Sequence, residues 1–175
     1  MKGKPVKFGM KLWVLASSDG YPFAFEVYTG KSDLAEEGLL GERVVRELTK
    51  VIGNKRQHRL YFNNFFSSPQ LCRQQAALGL NCTGTVRTNR TQKCSVTPAS
   101  DMKKKERGSF ECYTDGHVNV CQWNDSKPVS IVTNFETVNP TSSVQIYSKS
   151  SKKGLLLPSQ TCSNHITSTW VVWIY

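Results

Sequence analysis

The stretch HRLYFNNFFSSPQL (58–71) decides the fold. Residues 58–66 form a short run suited to a buried strand, with polar Asn63 and Asn64 near its end. Ser68 then offers a side-chain oxygen to the first unpaired N–H groups of a helix. Pro69 fits the first helical position, where an N–H would have no partner anyway. The helix runs to about Leu78, and Gly79 closes it. NCTGTVRT (81–88) reads as the next strand. Two strands joined through a helix run parallel, because the crossover returns the chain to the end of the sheet from which it left. This half of the chain is therefore expected to be α/β.

Moving toward the N-terminus, Val44, Val45, Leu48, Val51 and Ile52 recur at helical spacing from Gly41 onward, and Gly53 and Asn54 stop that helix. Further upstream, KFGMKLWVLAS (7–17) and YPFAFEVYTG (21–30) flank Asp19 and Gly20. Two apolar runs around an Asp-Gly pair predict a hairpin with a type I′ turn. Its second strand should turn Phe23, Phe25 and Val27 one way and Pro22, Ala24, Glu26 and Tyr28 the other. The order to this point is β-β-α-β-α-β.

Toward the C-terminus the texture changes at Asn89. Residues 87–107 hold Arg87, Arg90, Lys93, Lys103, Lys104, Lys105 and Arg107 against only Asp101 and Glu106. Three short strands at 109–113, 117–123 and 129–134, separated by turn residues, predict a small β-meander, with a further strand at 144–147. From Lys149 the tail is polar and then apolar, with no clear period.

Composition narrows the classes. The 175 residues carry 23 Lys and Arg against 13 Asp and Glu, a formal charge of +10, which favours phosphate-bearing partners. Eight Phe, six Tyr and four Trp are enough to build a core, which argues against a disordered or collagen-like chain. No apolar run approaches the roughly 20 residues of a membrane helix, and no apolar segment behind Met1 suggests a signal peptide, so a soluble chain is expected with no membrane partner. None of the six cysteines forms a C-x-x-C pair, and the three histidines are scattered, so no zinc site is expected. The cysteines read as reduced intracellular thiols packed as small apolar groups. Ser67 and Ser68 beside His58 lack a G-x-S-x-G elbow, and capping explains them better than nucleophilic chemistry.

KPVKFGMKLWVL (4–15), YTGK (28–31), HRLYFNNFFSSPQL (58–71), GTVRTNR (84–90), MKKKERGSF (102–110) and WNDSKPV (123–129) occur in one order. Over roughly residues 3–153 the sequence resembles the transposase domain of the piggyBac family. The resemblance implies a partial ribonuclease-H-like α/β fold lacking its first strand and carrying a β-rich insertion. The corresponding divisions are a catalytic half at 1–88, an insertion at 89–150 with a basic entry loop, and a tail at 151–175. It also implies a triad of aspartates holding two Mg²⁺ ions for phosphoryl transfer, since hard cations demand anionic oxygen ligands.

Matched residue by residue, that triad is expected to fail. The first family aspartate lies on a strand preceding KGKPVKFG, ahead of Met1. The second falls at Asn63, an amide with the shape of aspartate but not its charge. The third belongs to a Met-Gly-Gly-Val-Asp stretch, whereas residues 159–175 contain no aspartate. The codons of residues 170–175, read one base out of phase from Thr169, permit Met-Gly-Gly-Val-Asp. The tail from about Leu155 therefore reads as frame-shifted relative to the family and is expected to lie outside the fold. The missing first strand belongs between the strands at 7–17 and 59–66, so residues 1–88 are expected to be marginally folded and prone to self-association.

The expected function is that of a catalytically inactive piggyBac-like transposase remnant, with no cofactor and with residual non-specific DNA binding through Arg87, Arg90, Lys93, Lys103, Lys104, Lys105 and Arg107. The alternatives are a domesticated DNA- or chromatin-binding module and a metal-dependent nuclease using substitute carboxylates. DNA, a second copy of the chain or a related full-length transposase are the expected partners, and the nucleus is the expected location.

Overall fold

The computed structural model of the chain describes residues 10–28, 30, 38–55, 58–91 and 94–136, and the backbone of three later strands at 141–148, 153–160 and 171–174. The basic residue Lys93 lies outside the described residues. Strands β1 (Lys11–Ala16) and β2 (Pro22–Tyr28) form the expected hairpin. Its loop is longer than a two-residue turn. Ser17 N–H donates to the Tyr21 carbonyl at 2.9 Å, and Gly20, with φ +90°, takes the left-handed conformation that other residues avoid.

Helix α1 (Leu40–Leu48) follows and continues as one 3₁₀ turn, Thr49–Val51. It buries Val44, Val45 and Leu48, while Val51, expected on the same face, is exposed because the tighter turn rotates it outward. Strand β3 (Arg59–Phe62) is shorter than the sequence suggests, because residues 63–66 turn back on Asn63. Helix α2 (Pro69–Ala77) starts as predicted: Ser68 Oγ accepts from Leu71 N–H at 3.0 Å and Pro69 is its first residue. Strand β4 (Asn81–Thr85) runs parallel to β3. A one-turn helix, α3 (Ala99–Met102), interrupts the basic stretch. Strands β5 (Phe110–Thr114), β6 (Asn119–Asn124) and β7 (Pro128–Thr133) form the meander. Strands β8 (Thr141–Ser148) and β9 (Lys153–Gln160) pair as a separate two-stranded sheet, and β10 (Val171–Ile174) ends the chain's described structure.

The main sheet has eight strands in the order β2-β1-β10-β3-β4-β7-β6-β5. The meander is joined to the α/β half through antiparallel pairing of β4 with β7, so one sheet runs across the residue 88/89 division. One face of it carries the main core, where Trp13, Leu15, Leu60, Phe62 and Cys82 meet Val44, Val45 and Leu48 of α1 and Leu71 and Cys72 of α2. Trp13 stacks on Phe65 with ring centroids 5.3 Å apart and is fully buried, as expected of a core residue.

Two expectations are overturned. The place between β1 and β3, expected to be empty, is occupied by β10, antiparallel to β1 and parallel to β3. The last residues of the tail therefore belong to the sheet. The physical reason is that strand pairing is made by backbone groups, and WVVWIY is rich in the β-branched and aromatic residues that suit a pleated sheet whatever codon phase encodes them. Leu15, Leu60 and Phe62, whose strands flank this place, are buried rather than left at bare edges. The second concerns the thiols. Cys112 and Cys121 are directly opposite one another on β5 and β6 and form a disulfide, while Cys72, Cys82 and Cys94 are free. Spacing in the sequence does not reveal this pair, because the register of the meander creates it.

Candidate functional site

Strand β3 ends at Asn63, the position of interest, which is exposed. Its side-chain oxygen accepts from Phe65 N–H at 2.9 Å. Its carbonyl accepts from Phe66 N–H at 3.1 Å and from Ser67 Oγ at 2.8 Å. Asn63 thus closes its own turn, a role that suits Asn because its short amide mimics a backbone carbonyl. The turn is held from two sides. On one side Gly41 of α1 lies so close that a Cβ there would sit 2.4 Å from the Phe65 carbonyl oxygen. On the other, Arg90 Nη1 donates to the Phe65 carbonyl at 2.6 Å and to the Asn64 carbonyl at 3.3 Å, and Arg87 Nε donates to Asn64 Oδ1 at 3.3 Å.

Arg87 and Arg90 act together because residues Thr88–Arg90 form a 3₁₀ turn, in which side chains three apart eclipse. Beside them opens a cleft lined by Leu39, Glu42, Ser68, Gln70, Asn89 and Arg90. Glu42 is buried at its floor and accepts a hydrogen bond from Ser68 Oγ. Spacing in the sequence does not reveal this contact, because only the docking of α1 against the start of α2 buries Glu42.

The remaining basic residues lie in other surroundings. Lys104 pairs with Asp101 at 2.9 Å, Lys105 with Glu111 at 3.2 Å, and Arg107 with Asp125 at 2.6 Å. Lys103 is exposed and has no acidic partner among the described residues. Of the six described basic residues, then, three are locally neutralised by carboxylates. Among the described residues, Arg87 and Arg90 bond to neutral oxygens and form no ion pair.

The aspartates in turns serve those turns. Asp115 accepts from His117 and Val118 N–H at 2.9 and 2.8 Å and pairs with Arg73. The Arg73 guanidinium and these two N–H groups hold its carboxyl far below the usual carboxylate range. Nearby, burial and the Asp115 charge push the Cys94 thiol up, which keeps it a poor nucleophile.

A two-metal centre needs several carboxylates converging on one point. At the end of β3 stands an amide whose oxygen is engaged in its own turn, and the neighbouring strand β10 has the sequence VVWI, without an acid. No group of three or more His, Cys, Asp or Glu that could hold a metal ion occurs among the described residues. The described residues do not fit the family's pair of Mg²⁺ ions.

The family described as "Transposase IS4" matches residues 1–163. The human PiggyBac transposable element-derived protein 3 is 34% identical over 158 residues, covering 87% of this chain and 27% of that protein. The human PiggyBac transposable element-derived protein 2 is 32% identical over 147 residues, covering 79% of this chain and 24% of that protein. The chain thus spans about a quarter of the length of these relatives. Among solved structures, the piggyBac transposase in a synaptic complex with hairpin DNA superposes with a TM-score of 0.66 at 22% identity, over 96% of this chain and 33% of that one. That likeness carries the fold, which is ribonuclease-H-like. By its matched profile and its relatives, the chain belongs to the Transposase IS4 family, among its piggyBac-like members.

Proposed function

We propose that the chain is a catalytically inactive piggyBac-like transposase remnant that keeps an electrostatic, sequence-independent affinity for DNA and works in the nucleus. The observation that carries the inactive reading is Asn63: the amide stands at the end of β3 with its oxygen engaged in its own turn. Restoring one charge there would leave its neighbours without acids, so Asn63→Asp alone should restore no cleavage. Purified protein should leave a transposon-end duplex intact with Mg²⁺ or Mn²⁺. Cleavage above a matched blank would refute the inactive reading and favour a nuclease with substitute carboxylates.

The DNA reading rests on the basic residues. Arg87, Arg90 and Lys103 lack acidic partners among the described residues, and with Lys93 they suggest about four phosphate contacts. Binding should then weaken with salt at a log–log slope of about −3.6. Replacing Arg87 and Lys103 by Gln should flatten the slope by about 1.8. Replacing Lys104 and Lys105 should change it less, because Asp101 and Glu111 already neutralise them. A salt-independent affinity would overturn this reading. A marked preference for one DNA sequence would favour a domesticated binding module instead.

A further inference from the structure

Strand β5 is the last strand of the eight-stranded sheet, and β6 is its one strand neighbour among the described residues. Besides the ladder of backbone pairs, one covalent bond joins the two, between Cys112 and the directly opposite Cys121. Its partners are only nine residues apart in sequence. The constraint a disulfide places on the unfolded chain grows with the loop it closes, so this bond adds less than a long-range bridge would. The two sulfurs also differ in access. Cys121 is 2% exposed, whereas Cys112, on the outer strand, is half-buried. Val120 belongs to the main core, so Cys121 beside it points to the opposite face of the sheet, away from the thiols of Cys72 and Cys82.

The two strands that this bond joins hold the basic stretch in place. Glu111, next to Cys112, accepts from Thr97 N–H at 2.6 Å and Thr97 Oγ at 2.8 Å, and pairs with Lys105 at 3.2 Å. From β6, the Asn124 side-chain amide donates to the Lys105 carbonyl at 2.7 Å, and the Asn124 carbonyl accepts from Gly108 N–H at 2.7 Å. Arg107 pairs with Asp125, just past the end of β6. Residues 97–109 are thus strapped across both strands, and the carboxylate that neutralises Lys105 is carried by the outer one.

We propose that the Cys112–Cys121 pair is a reversible thiol-exchange site, which holds the 97–109 strap when oxidised and loosens it when reduced by a low-molecular-weight thiol. A thiolate of the reductant attacks the accessible Cys112 sulfur. The S–S bond breaks, and Cys121 leaves as a thiolate and takes up a proton. A second thiolate attacks the reductant's own sulfur in the mixed disulfide, which forms the small disulfide and releases Cys112, also to be protonated. Two small thiols are oxidised to one disulfide, and the protein pair gains two electrons and two protons. With the bond open, β5 keeps only its non-covalent ladder to β6. An edge strand so held opens locally at lower cost, and each opening parts Glu111 from Lys105 and Thr97.

The inference does not rest on DNA binding. The full chain is equilibrated across mixtures of reduced and oxidised glutathione, its thiols are blocked by alkylation, and the state of the pair is read by mass spectrometry. The pair should pass reversibly between both states within these mixtures. Hydrogen exchange at 97–114 should be at least about tenfold faster in the reduced chain, with the amides of β3 and β4 unchanged. Cys112→Ser and Cys121→Ala should each exchange like the reduced parent in every mixture. The reduced parent needs no substitution, so the comparison stands even where a variant does not fold. A pair that stays oxidised in excess reduced glutathione is a purely structural bond and would overturn the proposal. So would a pair that stays reduced in excess oxidised glutathione, equal exchange at 97–114 in the two states, or a glutathione response that survives in both variants.

Discussion

Removing residues 171–175 tests the most consequential feature of this fold. Strand β10 pairs at four positions with β1 and at two with β3. Its loss removes about six backbone hydrogen bonds, each contributing roughly 0.5–1.5 kcal/mol net, or about 3–9 kcal/mol together. A domain of this size has about 5–15 kcal/mol in all. With about 2–4 °C of melting temperature per kcal/mol, the truncated chain should melt at least about 6 °C lower. Amides at 12–15 and 60–62 should lose hydrogen-exchange protection, because their strands would then face an empty place. Val172→Pro provides a full-length companion. Val172 is opposite Leu15 on one side and Phe62 on the other, and proline removes the N–H and cannot sit in a central strand without disrupting it. Thermal melts followed by circular dichroism, with exchange read by mass spectrometry, measure both. If both variants melt within about 1 °C of the parent, with protection unchanged, β10 contributes nothing to the sheet and the reasoning fails.

Gly84 gives a second test. A Cβ there would lie 2.4 Å from Ser67 Oγ and 2.5 Å from the Phe62 carbonyl oxygen, so Gly84→Ala should cost about 1–3 kcal/mol, read by urea unfolding; a neutral result would show that β3 and β4 are not so closely apposed. Arg73 and Asp115 give a third. The folded carboxyl of Asp115 is depressed below its unfolded value of about 3.9, so its contribution is present above that pH and is lost as pH falls through the lower folded value. Because both side chains are more than a third exposed, the contribution is about 1 kcal/mol or less. Arg73→Met should therefore lower stability slightly at pH 7 and shrink the loss of stability between pH 4 and 2; an acid profile identical to that of the parent would refute the coupling.

How much of this was legible in the sequence follows from the range of each interaction. Helix α2 was readable because its determinants, Ser68, Pro69 and Gly79, act within a turn of the residues they cap. The hairpin and the meander were readable because alternation and turn residues are local too, although the length of the loop at 17–21 depended on hydrogen bonds that spacing does not encode. The candidate site was half legible. Asn63 and the basic stretch stood out by residue type, but the pairing of Lys105 with Glu111 and of Arg107 with Asp125 was not visible, since the fold of the meander brings those carboxylates to the basic stretch.

The sequence by itself determined the alternation of strands and helices, the caps that bound them, the excess of positive charge and the amide at Asn63. Only the tertiary structure decided that residues 171–174 enter the sheet between β1 and β3, that Cys112 faces Cys121, that Glu42 is buried under Ser68, and that Phe25 is left outside. Propensities, caps and turns are properties of neighbours along the chain. Strand order, burial of a charge and exposure of a face depend on which distant segments come together, and that is settled by the sheet as a whole.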